Sequence, residues 1–214
     1  MAAFSLALAH LHRHRDFELI RCGSLSAVLI LVRHGRTALN AEGRLQGRID
    51  EGLDDVGREQ AKAVVAHVGD VDELISSPLR RATETAEFFG LPFDIDERWI
   101  ELAYGTFEGT AYTDVPSEAW DHWKANASWA PEGGESLTAL AERVEAACHD
   151  VAERARDHDV AVVTHVSPMK AAVAWVLGAG IEISWRSHLS HASVCRIDPR
   201  ESGAVLYSFN ETAR

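Results

Sequence analysis

The chain has 214 residues, 46% hydrophobic and 25% charged, which suits one folded globular domain and excludes disordered, collagen-like and fibrous readings. With 33 Asp and Glu against 21 Lys and Arg, the net charge of -12 repels polyanions, so neither nucleic acid nor a membrane surface is expected as a partner. Only Lys62, Lys124 and Lys170 among the cationic residues are Lys; the rest are Arg, whose planar fork matches carboxylate or phosphate.

Residues 1–26 read as a poorly ordered N-terminal extension. The apolar start Met1–Ala9 has no cationic segment before it and runs straight into His10-Leu11-His12-Arg13-His14-Arg15, which argues against a secretory signal. Cys22, Cys148 and Cys195 are odd in number and far apart, so a disulfide framework and a cysteine zinc site are not expected and the cytoplasm is the expected compartment. No apolar stretch approaches the roughly 18 to 20 residues of a membrane span.

Regular patterning begins at Ala27-Val28-Leu29-Ile30-Leu31-Val32, a continuous apolar run typical of a strand buried on both faces. It points at Arg33-His34-Gly35. Asp54 is placed to cap a predicted helix over Asp55–Val68, with Val56, Gln60, Val64 and His67 spaced along one face. Asp72–Ser76 predicts a short strand, and Ser77-Pro78 opens a helix over Leu79–Phe89. Pro92–Ile95 reads as another short strand. Between Tyr104 and Ser136 Gly and Pro interrupt any period, and four of the six Trp lie from Trp99 to Trp129, so an insertion with short helices is expected there. Ser136 caps a long helix with one apolar stripe through Leu137, Leu140, Ala141, Val144, Ala147, Cys148 and Val151. Asp159–Thr164 predicts a second buried strand, Ser167–Leu177 a helix, and Ser193–Ile197 with Val205–Phe209 a terminal antiparallel hairpin. This alternation specifies an α/β fold over residues 27–214: a single three-layer domain with a mostly parallel central sheet and helices on both faces.

Ligands of such a sheet bind beyond the carboxyl ends of its strands. Two strands end there in histidine, at Val32-Arg33-His34-Gly35-Arg36-Thr37 and at Val162-Val163-Thr164-His165, while Leu79-Arg80-Arg81 brings at least one Arg to a helix start on the same rim. Two imidazoles, guanidinium forks and free helical N–H groups together describe a pocket for a dianion.

Arg33-His34-Gly35-Arg36-Thr37 after an apolar strand, with Asn40 beyond, resembles the R-H-G-x-T signature of the histidine phosphatase superfamily, whose founding fold is that of phosphoglycerate mutase. The family's other elements follow in order. Leu45-Gln46-Gly47 is similar to its Q-G element, Ser77-Pro78-Leu79-Arg80-Arg81-Ala82-Thr83-Glu84-Thr85-Ala86 to its S-x-L-x-R-A-x-x-T-A element, and Glu101-Leu102-Ala103-Tyr104-Gly105-Thr106-Phe107-Glu108-Gly109 to its acid-bearing segment. The resemblance covers about residues 27 to 210 and implies His34 as nucleophile, Arg33, Arg81 and His165 as phosphoryl ligands, and Glu101 as proton donor and acceptor. Gly35 is expected where backbone passes close to the phosphate, and Thr37, Asn40, Gln46 and Gly47 in the pocket lining. Thr164-His165-Val166-Ser167-Pro168-Met169-Lys170 departs from the common pattern, in which Gly follows the histidine. That variant resembles the acid phosphatase or alpha-ribazole phosphatase half of bifunctional ribonuclease H proteins.

The expected activity is metal-independent phosphomonoester hydrolysis of a small phosphorylated metabolite through a phosphohistidine, with no cofactor and no metal site. The alternatives are a phosphoglycerate mutase, with the same His, Arg and Glu set, and a phospho-ligand-binding pseudoenzyme, against which the intact nucleophile and acid argue. A two-metal hydrolase needs an Asp and Glu cluster at the strand ends, and the sequence has none there. Arg36 and Arg80 read as surface or ion-pair residues and Glu108 as a structural acid. His67, His122, His149 and His158 read as solvent-facing, the Trp group as packing or a lid that lines part of the pocket, and His188 and His191 as residues before the last hairpin, within reach of the rim but assigned no site role. Oligomeric state is open, a homodimer being one option.

Overall fold

The structure, a computed structural model, describes residues 27–213, so the extension over residues 1–26, with its three histidines and Cys22, lies outside the described residues. Six strands, β1 (Leu29–Arg33), β2 (Glu73–Ser76), β3 (Asp94–Ile95), β4 (Val160–Thr164), β5 (Ser193–Arg200) and β6 (Gly203–Thr212), form one sheet in the order β3-β2-β4-β1-β5-β6. The strands from β3 to β1 run parallel, and β5 and β6 add an antiparallel edge. The helices are α1 (Ala38–Ala41), α2 (Asp55–Val68), α3 (Arg80–Glu87), α4 (Ser117–Ala125), α5 (Leu137–Arg154) and α6 (Val166–Leu177). Among the described residues no helix is long and apolar enough to cross a membrane.

Because side chains alternate along a strand, β1 and β4 feed two cores at once. Leu29, Leu31, Val160 and Val162 pack with Leu140, Val144 and Val151 of α5 and Met169 and Ala172 of α6. On the other face Ile30, Val32, Ala161 and Val163 pack with Val64 of α2 and Ala82 and Ala86 of α3. The predicted three layers are therefore present. Pairing of Arg33 with Thr164 levels the strand ends, so His34 and His165 follow side by side, and Ser77 joins them through its N–H to the Val163 carbonyl at 2.9 Å.

Several boundaries move. β1 begins at Leu29 rather than Ala27, β3 has two residues rather than four, and α3 is confined to Arg80–Glu87 because Leu79 has extended backbone. The hairpin is longer than expected, with Gly203 at φ +119° leaving the turn. α6 starts at Val166, not Ser167. The expected inner face of α2 holds only in part: Val64 is buried and Gln60 accepts the Arg36 N–H, but Gly57 and Ala61 complete the buried face, whereas Val56 is 45% exposed and His67 faces outward to Glu211. A backbone contact rotates the helix to this face. A Cβ on Gly57 would lie 2.0 Å from the Arg36 carbonyl oxygen, and one on Gly35 2.3 Å from the Gly57 oxygen. Helix packing thus requires Gly35 independently of the expected approach of backbone to the phosphate.

The segment between β3 and α5 holds α4 and two short 3-10 turns, as the Gly, Pro and Trp pattern predicts. It is fastened to the loop after α1 by the Arg44–Ala111 bridge and by the Leu45 N–H to the Thr110 carbonyl. Trp123, fully enclosed, meets Tyr104 and Trp129 edge to face.

Gly57→Ala tests the backbone contact. Helix propensity favours Ala by about 1 kcal/mol, but overpacking against a fixed backbone costs about 1–3 kcal/mol. Urea denaturation is expected to show a net loss of stability.

Candidate active site

His34 leaves β1 with its ring set by its own turn. Its Nδ1 lies 2.6 Å from the Gly35 carbonyl, which only accepts, so Nδ1 carries the proton and Nε2 the lone pair. Arg81 then bridges the two histidines: its Nε–H donates to His34 Nε2 at 3.3 Å and to His165 Nδ1 at 3.2 Å. The imidazole centroids are 5.0 Å apart. With Nδ1 of His165 accepting, its Nε2–H donates to Ser77 Oγ at 2.6 Å. Arg81 is anchored in turn through Nη1 to the Ile49 carbonyl at 2.9 Å and Nη2 to the Gly47 carbonyl at 2.7 Å. The Q-G loop thus aims the guanidinium. Arg33, 9% exposed, donates from Nη1 to the Leu189 carbonyl at 2.5 Å.

Glu101 sits against the start of α6. Its Oε1 accepts the Leu102 N–H at 2.7 Å and the Ser167 N–H at 3.3 Å, the latter from the helix's first turn, where N–H groups have no partner within the helix. Its backbone carbonyl accepts from Arg48 Nε and Arg143 Nη2. The core set of His34, His165, Arg33, Arg81 and Glu101 therefore converges at one end of the sheet.

The remaining pocket candidates separate. Thr37 caps α1, its Oγ accepting the Asn40 N–H and donating to Gln46 Oε1 at 2.8 Å, and Asn40 Nδ2 also donates to Gln46. Asn40 lines a cavity beside Arg33, while Thr37 and Gln46, both buried, brace the loop. Gly47 has φ +56°, and a Cβ there would lie 2.3 Å from Glu108 Oε1. Glu108 accepts the Arg48 and Tyr104 N–H groups, Arg36 pairs with Asp54, and Arg80 pairs with Glu84. These three are structural contacts, as the sequence suggested. Two positioning groups were not singled out: Ser77, and Thr85, whose Oγ accepts the Gly35 N–H and donates to the Arg81 carbonyl. Both stand in the quoted S-x-L-x-R-A-x-x-T-A element, in which the sequence assigns a task to the Arg alone. His188 and His191, within reach of the rim, line the cavity.

Burial governs the electrostatics. His34 and His165 are held well below the ordinary histidine value of 6.5, first by desolvation and then by the charges of Arg81 and Arg33 or the neighbouring ring. Both rings are neutral at pH 7. Arg81 is pulled down to about 10 by burial, with Glu101 and Asp50 opposing. A histidine depressed in the fold binds fewer protons than in the unfolded chain below pH 6.5, so stability falls as pH drops through 6.5 toward the folded value. Denaturation midpoints measured from pH 7 to 5 are expected to fall, and His34→Asn and His165→Asn each to reduce the proton uptake on unfolding by up to about one proton.

The model of the histidine phosphatase superfamily (branch 1) matches residues 29–212. A glucosyl-3-phosphoglycerate phosphatase of Mycolicibacterium vanbaalenii is 34% identical over 170 residues, which cover 72% of this chain and 76% of that protein. A bifunctional protein of Mycobacterium tuberculosis is 32% identical over 176 residues, or 78% of this chain; the match spans about half of that protein, 48%. Among solved structures, a phosphoserine phosphatase of Entamoeba histolytica in complex with 3-phosphoglyceric acid has a TM-score of 0.79 at 26% identity, covering 86% of this chain and 97% of that one. With the two histidines, the arginines and the acid gathered at the strand ends in the family's order, the chain belongs to the histidine phosphatase superfamily and is a phosphatase of that family.

Proposed function

We propose that the chain hydrolyses a small phosphomonoester in two displacements at phosphorus, with His34 as nucleophile and no metal ion. The observation that carries this is the buried Arg81 bridge between two neutral imidazoles, one of which, His34, keeps its lone pair on Nε2. In the first step the Nε2 lone pair attacks phosphorus, the P–O ester bond breaks, and Glu101 gives a proton to the departing alkoxide. In the second, water attacks phosphorus, Glu101 takes its proton, and the P–N bond breaks to release inorganic phosphate. Arg33, Arg81 and His165 stabilise charge on the equatorial oxygens, the main task in phosphoryl transfer. Cationic side chains supply that charge, and among the described residues no group of His, Cys, Asp or Glu is placed to hold a metal. The free thiols of Cys148 and Cys195 suit a cytoplasmic enzyme. The relatives' names support a phosphorylated metabolite as substrate, and the acidic chain does not suit nucleic acid.

Acid-free quenching with labelled substrate is expected to trap label that is acid-labile and alkali-stable, as a phosphoramidate is, and His34→Ala to abolish it. Normal labelling of that variant would overturn the nucleophile. Glu101→Gln is expected to slow transfer from an alkyl phosphate by about a hundredfold or more and from p-nitrophenyl phosphate far less, since phenolate leaves unprotonated. A burst measurement isolates this step, and equal losses for both esters would remove Glu101 as the acid.

A further inference from the structure

Beside Arg33, and beside Leu102 and Ser167 whose N–H groups hold Glu101, lies a cavity of 390 Å³. It falls in the range of about 300–1,000 Å³ typical of small-molecule sites, and a three-carbon phosphate ester leaves most of it unfilled. Trp120 of α4 and Trp185 of the 3-10 turn Ile181–Arg186 form part of its wall, their rings 6.3 Å apart and edge to face. The chain carries 33 acidic residues, yet among the described residues that line this cavity there is no Asp or Glu. Its polar lining holds two cations, Arg33 and Lys170, beside the imidazoles of His188 and His191 and uncharged hydroxyl and amide groups.

These cations are not equivalent. Arg33 is assigned to the phosphoryl group. Burial and the neighbouring Arg33 pull His191 down to about 4, so it is neutral at pH 7. Lys170, on α6 beyond His165, is partly buried and gives a hydrogen bond from Nζ to the Ser184 carbonyl at 2.7 Å. An ammonium has three hydrogens to give. Among the described residues no carboxylate lies within ion-pair distance of it, and it lines the same cavity as Arg33 and Ser167, beside the reacting centre. A single ammonium balances one negative charge, which suits a carboxylate rather than a second dianionic phosphate.

We infer that the substrate is a phosphorylated carboxylic acid, its carboxylate paired with Lys170 and its organic part presenting a ring or hydrocarbon face to Trp120 and Trp185. This rests on the phosphatase reading above, and makes Lys170 and the two Trp rings determinants of specificity rather than of phosphoryl transfer.

The test compares kcat/KM for phenyl phosphate with that for 3- and 4-carboxyphenyl phosphate, on the full chain and on Lys170→Met, which keeps an apolar stem of similar length. The unsubstituted protein is expected to favour at least one carboxylated ester by about tenfold, the worth of a favourable ion pair at a partly buried site, and to lose part of that preference in high salt. In Lys170→Met the ratio is expected to fall to about one, and Lys170→Arg to restore part of it. An unsubstituted protein indifferent to the carboxylate would overturn the inference. So would a preference that survives Lys170→Met, or equal losses on all three esters, the mark of a lysine that only ties α6 to Ser184. Failure to hydrolyse any of the three would instead overturn the phosphatase reading, and the inference with it. For the rings, Trp185→Ala is expected to lower kcat/KM for the aryl esters more than for 3-phosphoglycerate, which has the carboxylate without the ring. Equal losses would remove the ring from the assignment.

Discussion

A guanidinium buried to 1% exposure is costly to remove from water, and the site is built around meeting that cost at Arg81. Its Nε faces one nitrogen of each imidazole, and its two terminal nitrogens reach the Gly47 and Ile49 carbonyls. Charge-assisted hydrogen bonds of this kind contribute about 1.5–3 kcal/mol each, so together they hold a cation that a single contact could not. Burial first, and the same charge second, keep both histidines neutral. Stabilising the arginine and keeping a lone pair on the proposed nucleophile are therefore one arrangement.

That arrangement depends on backbone geometry set some distance away. The level ends of β1, β4 and β2 bring His34, His165 and Ser77 to a common height, and the two-faced cores of β1 and β4 leave the central strands no alternative register. Thr85 then ties the loop after His34 to α3, and the glycine contact between Gly35 and Gly57 ties it to α2. Both helices that carry these ties pack on the same face of the sheet. The other face positions Glu101, the proposed acid, at the first turn of α6. The proposed reaction groups are thus drawn from both layers and meet at the carboxyl ends of the central strands.

The cavity beside Arg33 adjoins this arrangement and shares Arg33 and Ser167 with it, but much of its wall comes from α4 and the turn Ile181–Arg186, which do not hold His34 or Arg81. In the proposed reading these walls, borne by the insertion and the connection after α6, set selectivity while the strand ends and helix starts set the chemistry.

The ordered motif from Arg33-His34-Gly35 to Thr164-His165, together with the alternation of apolar runs and amphipathic helices, was enough to specify the α/β layers, the order of elements and the five residues placed at the centre, because strand periodicity and short-range capping are written in consecutive residues. The face of α2 was legible only in part, at Val64. A period of 3.6 residues fits Val56 as well as Gly57, and only the approach of the Arg36 backbone, distant in sequence, chooses between them. Ser77 and Thr85 stood in the motif without visible tasks, since a hydroxyl's partner is set by the fold around it. Lys170 carried no signal at all. Its meaning comes from a cavity assembled by α6, α4 and the turn Ile181–Arg186, and from the absence of carboxylates among the described residues facing it, which no local pattern encodes.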